Sequence, residues 1–516
     1  MDEKIITAAR DAYADAGPTL TLGAIVHEGV SHPEPLIRVP LAMMNRHGLI
    51  AGATGTGKTK TLQLLAEQLS AAGVPVFVSD IKGDLSGLGS PGEPSDRVAQ
   101  RAKDTGCDWH GTAFPLEFLS LTGKTGAQLR ATVSSFGPLL LAKVLGLNDT
   151  QKSVLSLIFK YCDDKGLALL DLSDLRAVLQ HLTGDGAAEL KDYGGMSKAT
   201  VGVLLREMVE LEQQGAGEFF GEPEFDLDDL MQTERDGRGL ISVLELTDVQ
   251  DKPAVFSTFM LWMLARLYAE LPEVGDIAKP KLVFFFDEAH LLFDNASKDL
   301  EDEIEKVVRL IRSKGVGVFF VTQSPKDVPA DVLAQLGHRV QHALRAFTPD
   351  DEKALRAASK TYPKTPYYDT QEILTSLGIG EAYVTVLSSK GVPTIPFATR
   401  LIPPSSRMAP LSAEEFSQRL ASSQQVKEYA QPIDRESARE ILTQRVAAAA
   451  TVAAEGKALA EEAAPAKRGR AAKEPDSALE AIAKSPLTRT VAGVITRGLM
   501  GALLGTPPRR RRRTIF

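Results

Sequence analysis

Two cysteines in 516 residues, Cys107 and Cys162, exclude a disulfide framework and a four-cysteine zinc site and suit a reducing compartment. The opening MDEKIITAARDAYADAG has no basic flank followed by an apolar stretch, so no secretory leader is expected. Long hydrophobic runs are missing as well. The apolar segment Val491–Gly505 contains Arg497, and its 15 residues are too few to cross a bilayer. A cytoplasmic protein that is not integral to a membrane is the expectation. Net basic charge is absent too. The chain carries −8, and because residues 485–516 hold seven arginines and no Asp, Glu or Lys, the remainder carries −15. A protein that coats nucleic acid non-specifically needs a basic surface, so contact by the body with nucleic acid must be confined to a pore or groove. No internal repeat is present. What remains is an ordinary globular composition, 43% hydrophobic and 24% charged. The length allows roughly three domains, or one large domain with insertions and a tail.

Five regions follow from texture. Residues 1–40 read as a short helix and a β-prone patch, Leu20–Ile25 and Leu36–Val39, broken by Gly17-Pro18 and His32-Pro33-Glu34-Pro35. This suggests a small α/β adaptor. Residues 41–126 begin an α/β core. The strand Leu49–Ala51 runs into GATGTGKT, then a helix that Gly73 stops, then VPVFVSD (Val74–Asp80), an uninterrupted apolar run of the kind buried on both faces of a parallel sheet. Residues 127–232 show apolar spacings of three and four in successive segments and predict a helical insertion. Residues 233–405 return to strands: Gly239–Leu246, Lys281–Glu288, Val316–Gln323 and His338–Phe347, with helices between them. A closing hairpin, EAYVTVLSS and VPTIPFAT, turns at Lys390-Gly391. Residues 406–516 are polar, then Ala-rich, then Arg-rich.

Gly52-Ala-Thr54-Gly55-Thr56-Gly57-Lys58-Thr59 is a complete phosphate-binding loop. Its glycines let backbone N–H groups face an anion, the helix that follows points its positive end there, Lys58 reaches the outer phosphates and Thr59 ligates Mg²⁺. A chance match is the plain alternative, and the flanking strand and helix argue against it. The whole segment from Gly52 through Lys60 is the candidate nucleotide site. KLVFFFDE (Lys281–Glu288) ends in two carboxylates, one suited to the Mg²⁺ shell, Asp287, and one to polarising an attacking water, Glu288. An acidic helix cap is the alternative. The letters DEAH at Asp287–His290 evoke a large helicase class whose companion motifs are absent. Gln323 ends the next strand, where a neutral amide senses the γ-phosphate or the water; an ordinary strand-end turn is the alternative. Asp80-Ile-Lys82-Gly-Asp84 follows VPVFVS at the carboxyl edge and reads either as a ligand-facing motif or as a plain polar loop.

Together, Arg46-His47, the loop GATGTGKT, the strand FFFDEAH, the helix Arg309-Leu-Ile-Arg312-Ser-Lys-Gly315 and the strand VFFVTQ resemble the HerA-like branch of the HerA/FtsK ATPases. The bacterial HerA-like helicase/ATPase proteins carry the same KLVFFFDEAHLLF and RVQHALRAFTPDD. The resemblance spans approximately residues 20 to 405. It implies a RecA-like α/β fold with a mostly parallel sheet, ATP and Mg²⁺ as cofactors, a hexameric homo-oligomeric ring, and ATP-driven movement of double-stranded DNA, with a nuclease or another protein as partner. It further implies nucleotide roles for Lys58 and Thr59, metal and water roles for Asp287 and Glu288, and a sensor role for Gln323. For Arg46 it implies a place near the phosphates of its own subunit, and for Arg312 a finger reaching a neighbour's γ-phosphate, worth about 10³ to 10⁵ in rate. Arg345 is the second candidate for the finger. A solvated helix face paired with Glu301, Glu303 and Glu305 is the alternative for Arg309 and Arg312.

Two other functions stay open. One is an ATPase acting on a protein or membrane-associated complex recruited through the tail, where Val491–Gly505 and Arg509–Arg513 suit anionic lipid or phosphate. The other is a nucleotide-dependent assembly switch that moves no polymer. For the tail itself a flexible solvated segment is the simpler reading. Glu288 and Gln323 favour water as the acceptor over a kinase substrate.

Overall fold

The central strands are almost continuously apolar, and in the computed structural model, which describes residues 2–293 and 298–462, successive side chains point to opposite faces and fill two cores. Twelve strands form one sheet: β1 (Thr19–His27), β2 (Val30–Pro40), β3 (Gly48–Ala51), β4 (Val76–Asp80), β5 (Leu116–Ser120), β6 (Ala127–Gln128), β7 (Ile241–Glu245), β8 (Leu282–Phe286), β9 (Val316–Thr322), β10 (His338–Gln341), β11 (Glu381–Thr385) and β12 (Phe397–Leu401). Their order is β2-β1-β12-β11-β10-β3-β9-β8-β4-β7-β5-β6. From β10 to β6 all pairings are parallel; from β2 to β10 all are antiparallel. This is the α/β, mostly parallel architecture that the sequence predicts.

Phe284, Phe286 and Phe320 face one layer, where they join Trp262 of the helix Pro253–Glu270 and the helices Asp149–Lys165, Leu172–Thr183 and Lys198–Gln213 in one continuous core. The helices between β6 and β7 thus bury their apolar stripes against the same core as the sheet. Phe285, Phe319 and Val321 face the other layer, against Leu62, Leu65 and Leu69 of the helix Lys58–Ala71 and against the first helix, Asp2–Ala12.

Several elements differ from the sequence expectation. The prolines at 33 and 35 do not break the β-prone patch. Strand β2 carries on past them, but its pairing with β1 slips there: His32 opposes Ile25 and Leu36 opposes Ala24, so residues 33–35 bulge from the ladder of an outermost strand and no ladder bond is lost to the prolines. Its partner β1 is joined to it by the two-residue turn Glu28-Gly29, both residues in the left-handed region, as a tight hairpin requires. Strand β1 also pairs with β12, so residues from the first forty and from the closing hairpin extend a single sheet. Strand β10 stops at Gln341 rather than Phe347; beyond it His342 N–H donates to the Ala51 carbonyl at the end of β3, and the Ala343 carbonyl accepts from Ala53 in the phosphate loop. Strand β5 gave no clear sequence signal; its Glu117 and Ser120 interrupt a short apolar run.

By its internal contacts the chain divides into residues 1–446 and 447–516. In the second unit the described residues are helical to Glu462. The apolar segment Val491–Gly505 and the Arg509–Arg513 run lie outside the described residues. No helix among the described residues is long and apolar enough to cross a membrane.

Gly23 is where β1 meets β12 most closely: a Cβ there would stand 2.0 Å from the Arg400 carbonyl oxygen. Gly23→Ala should therefore lower stability by about 1–3 kcal/mol in denaturant unfolding. A stability equal to the parent's would show that the hairpin accommodates the methyl without shifting.

Candidate active site

At the carboxyl end of β3 the chain turns through the glycine-rich loop into the helix Lys58–Ala71. Gly57 caps that helix at φ +115°, a conformation that side chains avoid. Gly52 admits no side chain, because a Cβ would lie 2.4 Å from the Cβ of His342. The loop is held on several sides. Gly52 N–H donates to the Thr322 carbonyl at 3.2 Å, Ala53 N–H to Ala343 at 2.8 Å, and Gly380 N–H to the Thr56 carbonyl at 2.9 Å. Thr56 Oγ1 donates to the Ala53 carbonyl at 2.7 Å. Lys58 Nζ folds over the loop and donates to the Gly52 carbonyl at 2.8 Å and to Ala53 at 3.3 Å. Burial lowers its pKa, against the pull of Glu288 and Asp287. Thr59 is in the first turn of the helix. Lys60 turns its ammonium from the cradle to the Met408 carbonyl at 2.5 Å and Gln63 Oε1 at 3.2 Å, and it lines a cavity beside Gly57.

Asp287 and Glu288 follow β8 at the same edge. Asp287 is 2% exposed; Ser79 Oγ accepts its backbone N–H at 3.1 Å, and its Oδ2 has no hydrogen-bond partner. Burial, reinforced by Glu288, pushes its carboxyl up to about 7. Glu288 is 5% exposed and adopts φ +46°, a sparsely populated conformation for a residue with a side chain. Burial alone would raise its pKa, but an ion pair with Lys82 outweighs this and holds it below the ordinary carboxylate range. Gln323, just after β9, lines a cavity of ≈ 560 Å³ with Thr54, His290, Arg345 and Phe347. A second cavity of ≈ 320 Å³ opens on the other flank of the loop, between Gly57, Leu64, Val98, Leu401 and Pro403. The structure therefore gathers the phosphate loop, Asp287, Glu288 and Gln323 at one edge.

The arginines divide differently from expectation. Arg46 ends a short helix two residues before β3 begins, at the edge opposite the phosphate loop, and its guanidinium pairs with Asp276 at 3.3 Å. It therefore does not stand near the phosphates of its own subunit. Arg312 lies in the turn just before β9 starts, at the same far edge, exposed and in the field of both Arg46 and Asp276. Arg309 stays on the solvated helix face with Glu305 at 3.8 Å, whereas Glu301 and Glu303 pair with lysines. Arg345, the second finger candidate, lines the cavity beside its own loop.

The pattern of the family described as helicase HerA-like C-terminal matches residues 27–513. The chain belongs to that family. A probable helicase of Methanocaldococcus jannaschii is 31% identical over 165 residues, which are 30% of this chain and 30% of the relative. The DNA double-strand break repair helicase HerA of Saccharolobus solfataricus is 21% identical over 381 residues, 73% of this chain and 67% of that protein. The chain thus spans less than a third of the first of these relatives. Among solved structures, the plasmid coupling protein TrwB in complex with ADP and Mg²⁺ is 16% identical with a TM-score of 0.47, over 78% of this chain and 94% of that one. VirB4 of Thermoanaerobacter pseudethanolicus is 15% identical with a TM-score of 0.46, over 78% and 99%.

Some residues at the site of this HerA-like chain escaped the sequence reading. His342 packs under Gly52 and bonds Thr61 Oγ1 through Nε2 at 2.8 Å, and burial lowers its pKa to about 4, keeping the ring neutral. The only sequence signal was its place at the end of an apolar strand. The segment Ser405–Met408 is clamped on the phosphate-loop helix: Glu67 accepts from Ser405 N–H at 2.7 Å and Ser406 N–H at 3.0 Å, and Gln63 donates to the Arg407 carbonyl at 2.9 Å. Nothing in a polar stretch after Pro403-Pro404 announces that contact.

Glu245, at the end of β7, is 3% exposed, and burial with Asp80, Asp248 and Asp84 nearby pushes its carboxyl up to about 8 from an ordinary 4.5. The folded state therefore keeps a proton that the unfolded chain has released between those two values, and stability falls as pH rises through that window. Glu245→Gln should match the parent's melting temperature near pH 4 and exceed it at pH 9. A difference that does not change with pH would show that Glu245 holds no such proton.

Proposed function

We propose that this HerA-like protein is a Mg²⁺-dependent ATP hydrolase, working as a hexameric ring that couples hydrolysis to movement of double-stranded DNA. One observation carries the reading. The phosphate loop, with Lys58 poised on it, shares an edge with two buried carboxylates that each have an unpartnered oxygen, while Arg46 and Arg312 stand together on the opposite edge. The archaeal relatives, a probable helicase and a DNA double-strand break repair helicase, support DNA as the substrate.

Backbone N–H groups of the loop and the N-terminus of the helix Lys58–Ala71 receive the phosphates, and Lys58 turns from the Gly52 carbonyl to the outer ones. The unpartnered Asp287 Oδ2 and the Thr59 hydroxyl fit Mg²⁺, which when bound neutralises phosphate charge. Glu288 polarises the attacking water and Gln323 orients it from across the loop. The apolar cavity beside Gly57 and Leu64 takes the base. Arg46 and Arg312 lie too far round the sheet to serve their own loop, so in a ring both face the next subunit's γ-phosphate. Hydrolysis then depends on assembly.

Full-length protein should hydrolyse ATP faster with double-stranded DNA, and that stimulation should fade at high salt as phosphate contacts are screened. Equal rates with every nucleic acid would remove DNA from the proposal. Glu288→Gln should keep nucleotide affinity while slowing turnover by about 10²-fold or more; an unchanged rate would assign the water to another group.

Each of Lys58→Ala, Arg46→Ala and Arg312→Ala should be inactive alone. Rings mixing Lys58→Ala subunits with either arginine variant should recover part of the activity, because one interface then holds an intact lysine and an intact arginine. No recovery in rings shown to be mixed would place that arginine's action within its own subunit.

A further inference from the structure

Glu288 has more freedom than its role as water activator tolerates. Its backbone is fixed: φ is +46°, and the next residue, Ala289, donates its N–H to the Val321 carbonyl at 2.9 Å. Its carboxylate still rotates about the side-chain bonds unless something holds it. Among the described residues the hydrogen-bond partner of that carboxylate is Lys82, whose ammonium donates to Oε1, while Oε2 is buried without a hydrogen-bond partner. His290 Nδ1 stands 3.4 Å from Oε2 without making a hydrogen bond to it.

Lys82 is itself presented by a built platform. Asp80, the last residue of β4, is 0% exposed, and its Oδ1 accepts the backbone N–H groups of Lys82 at 3.1 Å and Gly83 at 2.8 Å, while Oδ2 accepts that of Leu85 at 2.8 Å. Gly83 makes the turn at φ +72°. The carboxylate of Asp80 thus fixes the loop that carries Lys82, and neighbouring strands β4 and β8 set the lysine beside Glu288. The side chain of Lys82 is 46% exposed, so it leaves no buried hole when shortened and is reached directly from the open side of the site.

We propose that Lys82 is a positioning residue for the hydrolysis step: it anchors Glu288 through Oε1 so that Oε2 is the oxygen offered to the attacking water. This rests on the reading of the site as an ATP hydrolase. It gives the Asp80-Ile-Lys82-Gly-Asp84 motif a function and accounts for a cation placed at a carboxylate that must bind a water and not a metal. Because misplacing a reacting group by about 1 Å costs about 10²-fold, loss of the anchor should show in turnover and not in nucleotide binding.

The test uses the full chain, with single-turnover hydrolysis of Mg-ATP and titration of a fluorescent ATP analogue. Lys82→Met should lower kcat about 10- to 100-fold while KM and analogue affinity stay within about threefold. Lys82→Arg, which keeps the positive donor, should recover a measurable part of the rate. In the Glu288→Gln background, where the amide no longer offers a carboxylate to anchor, adding Lys82→Met should change the residual rate by less than about twofold. An active parent whose kcat is unchanged or raised by Lys82→Met overturns the inference. An equal loss in both backgrounds, a KM rise matching the fall in kcat, or an Arg variant no better than Met also overturns it. A well-folded parent with no ATPase activity overturns the hydrolase reading together with this one and is told apart by that baseline.

Discussion

Parallel strands share a direction, and from that constraint most of this molecule's chemistry follows. Eight strands from β10 to β6 end at one edge, so whatever residues follow them are brought together however far apart they lie in sequence: the phosphate loop after β3, Gln323 after β9, Asp287 and Glu288 after β8, Asp80 at the end of β4 and Glu245 at the end of β7. The same rule sends Arg46 and Arg312, which precede β3 and β9, to the other edge. A single subunit therefore separates its acids from Arg46 and Arg312 by the length of a strand, while Arg345 stays on the acids' side. Side-chain motion does not bridge that distance; in the ring proposed above a neighbouring subunit would.

The acidic edge has an electrostatic cost that the structure meets in several ways. Asp80, Glu245, Asp287 and Glu288 are all buried, with few compensating cations. Asp80 is satisfied by three backbone N–H groups, Glu288 by Lys82, and Asp287 and Glu245 by carrying raised pKa values, so that protonation relieves the repulsion. Two of these solutions, an ion pair on Glu288 and an open oxygen on Asp287, are what the proposed division of labour between water and metal requires. Asp80 supports that division indirectly, through the loop that carries Lys82, and the raised pKa of Glu245 only stabilises the edge.

What the sequence made legible was whatever is encoded locally. The loop Gly52–Thr59 and the pair Asp287-Glu288 announce themselves because glycine conformations and a run of buried strand residues leave signatures within ten positions. The insertion helices were readable for the same reason, each having its own apolar stripe. The side of the sheet on which Arg46 falls was not readable, since twelve residues of separation from Lys58 suggest proximity while a strand lies between them. Strand β2 through its prolines was hidden because tolerance of proline depends on being outermost, a property of the whole sheet order. The clamp of Glu67 on Ser405 and Ser406 joins positions over three hundred residues apart, and no local pattern reports it.

That clamp also changes what the phosphate-loop helix is. Lys60, Gln63 and Glu67 recur at helical spacing on one face, and all three are spent on the segment that follows β12. A sequence reading assigns Lys60 to the nucleotide because it adjoins Lys58 and Thr59. In the helix it sits on a different face, about 200° round from Lys58, and its charge secures the wall of the apolar cavity instead. The helix therefore has two faces with different tasks: in the proposed site its first turn would receive phosphate, and its flank fixes Met408 and the prolines before it, which enclose the space beside Leu64. A change in the segment after β12 is thereby felt at the nucleotide site without any residue of the loop being altered.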